Sequence, residues 1–363
     1  MIQVFKSLNV TNGDFKNVNL KDSKLDRLSL DGCVVPENFF EKSEIGSITL
    51  WSIELKDGVI EKLKKAQNIK SILLIGERKL NAETILKDYP DFDSLSRTEK
   101  LNIIQNPYYI LQQSVDLSAL QKIDGLEELE LHSIELTQNN VDSISDIKSL
   151  KSLGIGETNL SDGICLKPIP ALKELKISGN IQSLNIISKM MSVSDLSICQ
   201  EGKDKIDTSV LLNFVNLERL SLSNLQGVEE NIPDANKIKR IALRNCGIED
   251  AKKSIFDKYL QLEQVNLDEN PLTNTSAEDM KKAKVDKNIT LSFKNSSLYE
   301  KLNLQILDVS SEEMEKKLKT FLSIYSLGNI SQYDLLTSSS WKQTIDDTEL
   351  LNEIARLGID DIA

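Results

Sequence analysis

The 363-residue chain predicts an α/β solenoid: a single parallel sheet built one strand per repeat, short helices and 3-10 turns along its other side, and a small helical cap at the C-terminus. Three observations predict it. Residues 217–272 carry one aliphatic template three times. It reads Leu217-x-x-Leu220-x-Leu222-x-x-Leu225, then Ile238-x-x-Ile241-x-Leu243-x-x-Cys246-x-Ile248, then Leu262-x-x-Val265-x-Leu267-x-x-Asn270-x-Leu272. Copies spaced by about 20 to 25 residues mark stacked supersecondary units. Within each copy the central pair is two residues apart, so both side chains leave the same face of a strand. The composition, 40% hydrophobic but only 5% aromatic, supplies an aliphatic core that grows along one axis, so length alone does not force several domains.

Residues 1–24 read as an N-terminal cap or a degenerate repeat. Phe5-x-x-Leu8-x-Val10 follows the template, while Phe15, Leu20, Leu25 and Leu30 recur every five residues. A solenoid over 25–295 begins with Leu25-x-x-Leu28-x-Leu30-x-x-Cys33-x-Val35 and Ile45-x-x-Ile48-x-Leu50-x-x-Ile53-x-Leu55. Val59, Ile60 and Leu63 share one face of a short helix starting near Asp57. After Ile69-x-x-Ile72-x-Leu74 the template lapses, and 81–116 is expected to be a partly helical insertion that covers or interrupts the sheet. Strands resume around Leu129, Leu153, Leu175 and Leu196, then pass through the three clear copies to Ile289-x-Leu291-x-Phe293. Thr275-Ser-Ala-Glu278 has the form of a capping box. In the tail, Met314, Leu318, Leu322 and Tyr325 share a helical face, as do Leu350, Ile354 and Leu357, which makes 296–363 a helical cap or subdomain.

The template resembles the leucine-rich repeat, and its three-residue lead-in spacing is similar to the short bacterial and phosphatase-regulator types. That resemblance implies a curved sheet, concave side inward, with a narrow convex side. About ten strands at roughly 4.8 Å would give a concave face about 45 Å long. Cys33 and Cys246 fall where Asn270 stands in its own copy, so each thiol is expected to donate weakly to the neighbouring turn, and all four cysteines read as reduced.

The same register names the outward residues. Trp51, Leu73 and Ile75 fall on adjacent rungs, either as an exposed anchor or as a patch buried under the insertion. Glu128, Glu130 and His132 follow, then Ser152, Gly154 and Gly156, small enough to admit a partner closely or merely to relieve crowding. Arg219, Arg240 and Arg244 form a basic strip that would suit carboxylate or phosphate, or be balanced by neighbouring acids.

No catalytic, cofactor or metal site emerges. The single histidine, His132, lies mid-strand, the cysteines are dispersed, and Gly154-Ile-Gly156 lacks the rest of a phosphate loop. Net charge of -12 argues against general nucleic-acid or anionic-membrane binding, and no apolar run spans a bilayer. Met1-Ile-Gln-Val-Phe-Lys-Ser-Leu carries no leader pattern. The expected function is therefore a monomeric, non-enzymatic module that binds a partner protein on the concave face. The alternative is an adaptor in which the insertion or tail recruits a ubiquitin-ligase-type enzyme. The Lys-, Asn- and Ile-rich composition resembles AT-rich bacterial genomes whose intracellular species deliver leucine-rich-repeat effectors. Asp346-Asp-Thr-Glu and Asp360-Asp-Ile-Ala are similar to acidic type IV secretion signals. The expected location is the cytoplasm, or a host cell reached without a cleavable leader.

Overall fold

A computed structural model describes residues 3–294 except 14, 16–19, 52–57, 78, 106–108, 203–204, 251–258 and 273–288. Ile53, Leu55, the Asp57 start, the Thr275 capping box and the tail from Ser296 lie outside the described residues, as does part of the five-residue periodicity near the N-terminus. Contacts divide the chain into two units, 1–219 with 224–235, and 220–223 with 236–363.

Along the first unit run β1 (Gln3–Thr11), β2 (Ser23–Asp31), β3 (Glu44–Trp51), α1 (Val59–Leu63) and β4 (Ser71–Ile75). There follow β5 (Lys79–Leu80), α2 (Ala82–Asp88), α3 (Arg97–Gln105), β6 (Ile110–Leu111), β7 (Gln113–Ser114), β8 (Glu128–His132), β9 (Ile134–Glu135) and α4 (Gln138–Ser145). The unit's last full strands are β10 (Ser152–Leu160), β11 (Glu174–Ile181) and β12 (Asp195–Gln200). The sheet runs β1-β2-β3-β4-β8-β10-β11-β12, every neighbour parallel. In the second unit β13 (Arg219–Ser223, its last four residues), β14 (Arg240–Arg244), β15 (Gln264–Asn266) and β16 (Thr290–Ser292) follow in chain order.

The repeated aliphatics make two continuous buried rows. Leu28, Ile48, Ile72, Leu129, Leu153, Leu175 and Leu196 are opposed in register from strand to strand, and so are Leu30, Leu50, Leu74, Leu131, Ile155, Ile177 and Ile198. None of them is more than 2% exposed, so each rung completes the pocket of the next. Short segments close the other side. In α1, Val59, Ile60 and Leu63 are buried as their spacing predicts, and elsewhere 3-10 turns at Leu184–Ile187 and Ser209–Asn213 replace a full helix.

In four repeats the turn after the strand is held by a buried polar side chain at one recurring slot. Asn270 accepts from the Cys246 and Ile248 N–H groups (2.9 and 3.0 Å) and donates to the Leu267 carbonyl (2.9 Å). Cys246 Sγ lies 3.4 Å from the Leu222 carbonyl and 3.3 Å from that of Arg244, while Cys33 Sγ lies 3.5 Å from Val10 O and 3.4 Å from Asp31 O. Thr158 Oγ1 donates at 2.9 Å to Gly156 O in the same position. A buried donor therefore satisfies carbonyls that the turn leaves unpaired. All four cysteines are free thiols.

The departure from the template is looped out without breaking the stack. β4 pairs directly with β8, Ile72 opposite Leu129 and Ile75 opposite His132. The intervening chain builds a miniature core from Ile85, Ile103 and Tyr109, flanked by Tyr89, Phe92 and Leu95. Asn81 caps α2 by accepting from Thr84 N–H, and Ser96 and Glu99 cap α3 reciprocally, at 2.8 and 3.3 Å. Its ends are tied to the sheet where it leaves and returns. Gly76 N–H donates to His132 O, Gln113 N–H to Ser133 O, and Glu77 N–H to the Gln113 side chain.

Candidate functional site

The parallel register converts the outward residues of the first unit into a two-dimensional map. One row reads Ser47, Ser71, Glu128, Ser152, Glu174, Asp195; the next reads Thr49, Leu73, Glu130, Gly154, Lys176, Ser197; the third begins Trp51, Ile75, His132, Gly156. Adjacent members stand one strand spacing apart, about 4.8 Å. Trp51, Leu73 and Ile75 thus form an apolar patch two strands wide. Trp51 is 41% exposed, whereas Leu73 and Ile75 are half-buried. The insertion therefore leaves the indole accessible, and it roots beside this patch at Gly76.

On the next rung the chemistry changes from apolar to acidic. Glu128 and Glu130 are exposed, and Glu130 lies 3.9 Å from His132 Nε2. The glycines beyond do not leave open space for a partner. A Cβ on Gly154 would meet Glu130 Cγ at 2.9 Å, and one on Gly156 would meet His132 Nδ1 at 2.5 Å. The Glu130 and His132 side chains lean over these glycines, which relieve crowding and seat the acidic rung. One strand further, Glu174 accepts from Lys176 (2.6 Å) and from the Ser152 hydroxyl (2.9 Å). The Lys176 hydrogen bond, more than any other cause, holds the Glu174 carboxyl below its ordinary range. A depressed carboxylate stabilises the fold above its unfolded pKa and loses that contribution as pH falls through its folded value. Lys176→Met is therefore expected to move the Glu174 titration, followed by NMR, back up towards the ordinary carboxylate range.

The three arginines are more balanced than their positions suggest. Arg219, in the first unit, pairs with Asp195 at 3.0 Å, and Arg244, in the second, pairs with Glu269 at 2.6 Å. Arg240 is exposed at the start of β14. At solvent-facing pairs of this kind the net gain is small.

Among the described residues, no nucleophile and orienting acid are arranged around His132 beyond the long Glu130 contact. Among the described residues no group of three His, Cys, Asp or Glu side chains could hold a metal ion, and no helix is long and apolar enough to cross a membrane.

Sequence reasoning found the outward rows, left Gly154 and Gly156 open between close approach of a partner and relief of crowding, and missed one helix start nearby. The glycine seats follow from the strand-to-strand register between β8 and β10, which a single copy of the template does not contain. The capping box Ser96-Arg-Thr-Glu99 was in plain sight and could have placed the start of α3.

No family model matches the chain, and no curated protein matches it. Among solved structures it is similar to a chain of the Toll–Spatzle complex, a molecular hub in Drosophila development and innate immunity. That match has 13% identity and a TM-score of 0.45, over 77% of this chain and 41% of that one. It is also similar to an internalin (inlF) from Listeria monocytogenes, with 18% identity and a TM-score of 0.45, over 80% of this chain and 81% of that one. The present chain thus spans less than half of the first neighbour's length. The fold assignment stands on the register, the two buried rows and the turn slot, which build a parallel sheet with one strand per aliphatic repeat.

Proposed function

We propose that the chain is a non-enzymatic protein-recognition module whose partner docks on the exposed sheet face, the face expected to be concave. The observation that carries this reading is the contiguous surface of Trp51, Leu73 and Ile75 in register with Glu128, Glu130 and His132. A rigid aromatic anchor beside desolvatable apolar side chains, rimmed by charge, is how interface hot spots are built. Strand-borne residues also lose little entropy on binding. Net charge of -12 favours a protein partner over nucleic acid. Arg219, Arg240 and Arg244 are proposed as further contacts for acidic groups of a partner.

Affinity capture tests the reading, with wild type beside Trp51→Glu, Glu128→Lys/Glu130→Lys and Arg240→Glu/Arg244→Glu. Trp51→Glu is expected to weaken capture at least tenfold, a loss of about 1.4 kcal/mol or more, as for a hot-spot residue. Retention of the same partner at wild-type strength by both Trp51→Glu and the double glutamate variant would overturn it.

One observation favours a second reading, the adaptor. The insertion has its own core and carries exposed Leu80, Leu86, Leu101 and Leu111, a second surface with apolar content. A partner lost from Leu86→Glu/Leu101→Glu but kept by Trp51→Glu would support it. Delivery into a host cell as a bacterial effector is proposed on composition and the acidic tail. A translocation reporter fused to the last 40 or so residues should respond if that is right.

A further inference from the structure

We infer that the partner seated on the Trp51 face is a basic protein segment, whose lysine or arginine is held by the Glu128 and Glu130 carboxylates while an adjoining apolar side chain packs on Leu73, Ile75 and Trp51. This rests on the reading of that face as the docking surface, and adds the chemistry of what docks.

From β3 to β12 the three outward rows hold four acids, Glu128, Glu130, Glu174 and Asp195. Two of them are neutralised from within, Glu174 by Lys176 at 2.6 Å and Asp195 by Arg219 at 3.0 Å. The cations that flank β8 are engaged elsewhere. Lys70 and Lys151, just before β4 and β10, both pair with Glu127, at 3.2 and 2.5 Å. Lys176 shares a row with Glu130, two strands away, but is taken by Glu174. Among the described residues, Glu128 and Glu130 therefore have no lysine or arginine of the chain as a partner. His132 does not replace one, because its Nε2 lies 3.9 Å from the Glu130 carboxylate, too far for a hydrogen bond. Two uncompensated carboxylates thus stand directly beside the apolar patch.

Their geometry suits a single cation. Residues two apart on a strand leave the same face about 6.6 Å apart, and an ammonium or guanidinium group has donors enough for both carboxylates. Glu130 is also held ready. Its side chain lies over Gly154, where an added Cβ would meet Cγ at 2.9 Å, and it remains 47% exposed. A carboxylate seated on backbone and open to solvent loses little entropy when it takes a cation. Leu73 stands opposite Glu130, and Trp51 opposite Ile75 on the strand beyond. The aliphatic stem of a bound lysine or arginine can therefore lie along Leu73 with its head on the acids. A phosphate or an acidic segment would be repelled at this rung, whereas a cationic one is also drawn in by the chain's net charge of -12.

The probe is a phage-displayed library of random dodecapeptides, selected on the full chain. Enriched sequences are expected to combine lysine or arginine with an aromatic or aliphatic residue. Synthesised and titrated back, they should shift the imidazole NMR signals of His132, the one histidine of the sequence and so a reporter within the site. Their affinity should fall roughly tenfold or more in Glu128→Gln/Glu130→Gln, a near-isosteric change at exposed positions whose fold circular dichroism can verify, and should weaken as salt is raised. Selection on Glu128→Lys/Glu130→Lys should return acidic sequences instead. Peptides that lack a basic residue, or that keep full affinity for the glutamine variant, yet are lost from Trp51→Ala, would overturn the basic-partner inference and leave the docking face standing. Peptides indifferent to both changes, or no enrichment at all, would overturn the two together.

Discussion

Replacing Leu131 by alanine is expected to lower the unfolding free energy by roughly 2–5 kcal/mol, measured as a shift in the urea midpoint. Leu131 is fully buried and sits in register between Leu74 and Ile155, with aliphatic neighbours on both sides along its row. Truncation removes about three carbons' worth of buried apolar surface and opens a cavity that the flanking rungs cannot fill without giving up their own register. The position is also the join between β4 and β8, across which the chain has looped out its insertion. The two strands are far apart in sequence, so their pairing depends on side-chain packing and ladder bonds, helped by the Lys70–Glu127 ion pair at 3.2 Å. The expected result is therefore a loss at the upper end of the range, with the midpoint falling more than the slope changes. Val115→Ala, at a smaller side chain beside the insertion's return, should cost less. A Leu131→Ala midpoint within error of wild type would refute the assignment of this residue to the core face.

The arrangement of strands was legible because the template encodes two separations at once. The two-residue spacing of Leu220 and Leu222 fixes a face, and the copy length fixes which residue of the next rung stands opposite. The turn slot was legible from Cys33, Cys246 and Asn270 because one buried polar site recurs at one phase of the repeat. Features with no periodic signal were not. The miniature core of Ile85, Ile103 and Tyr109 joins residues from three short segments whose spacing follows no template. The apolar patch at Trp51 could be named from phase alone, but its exposure depends on where the insertion packs, which phase does not encode. The glycine seats of Glu130 and His132 required the register and the side-chain lean together. Likewise β1 matches the template in Phe5, Leu8 and Val10, and only the structure shows that Phe5 is 46% exposed.

The second large effect is expected at Gly179. β10 carries an irregularity between Ile155 and Thr158, where three steps on that strand match two on β11. Glu157 sits there with φ of +51°, and its carboxylate accepts from the Ser133 hydroxyl at 2.8 Å. Gly179 answers it across the ladder with φ of +135°, opposite Thr158. A Cβ at this position would lie 2.2 Å from Thr158 O and 2.6 Å from Thr158 N, both backbone atoms that cannot swing aside as a side chain would. Gly179→Ala thus combines a disfavoured backbone region, about 1–3 kcal/mol, with overpacking of about 1–3 kcal/mol. Gly163→Ala separates the two contributions. Its φ is +100° and nothing lies within 4 Å of the added carbon, so it should lose only the conformational part. Urea melts should therefore rank Gly179→Ala well below Gly163→Ala, and Gly163→Ala below wild type. Equal losses would mean that β10 and β11 relax freely around the bulge.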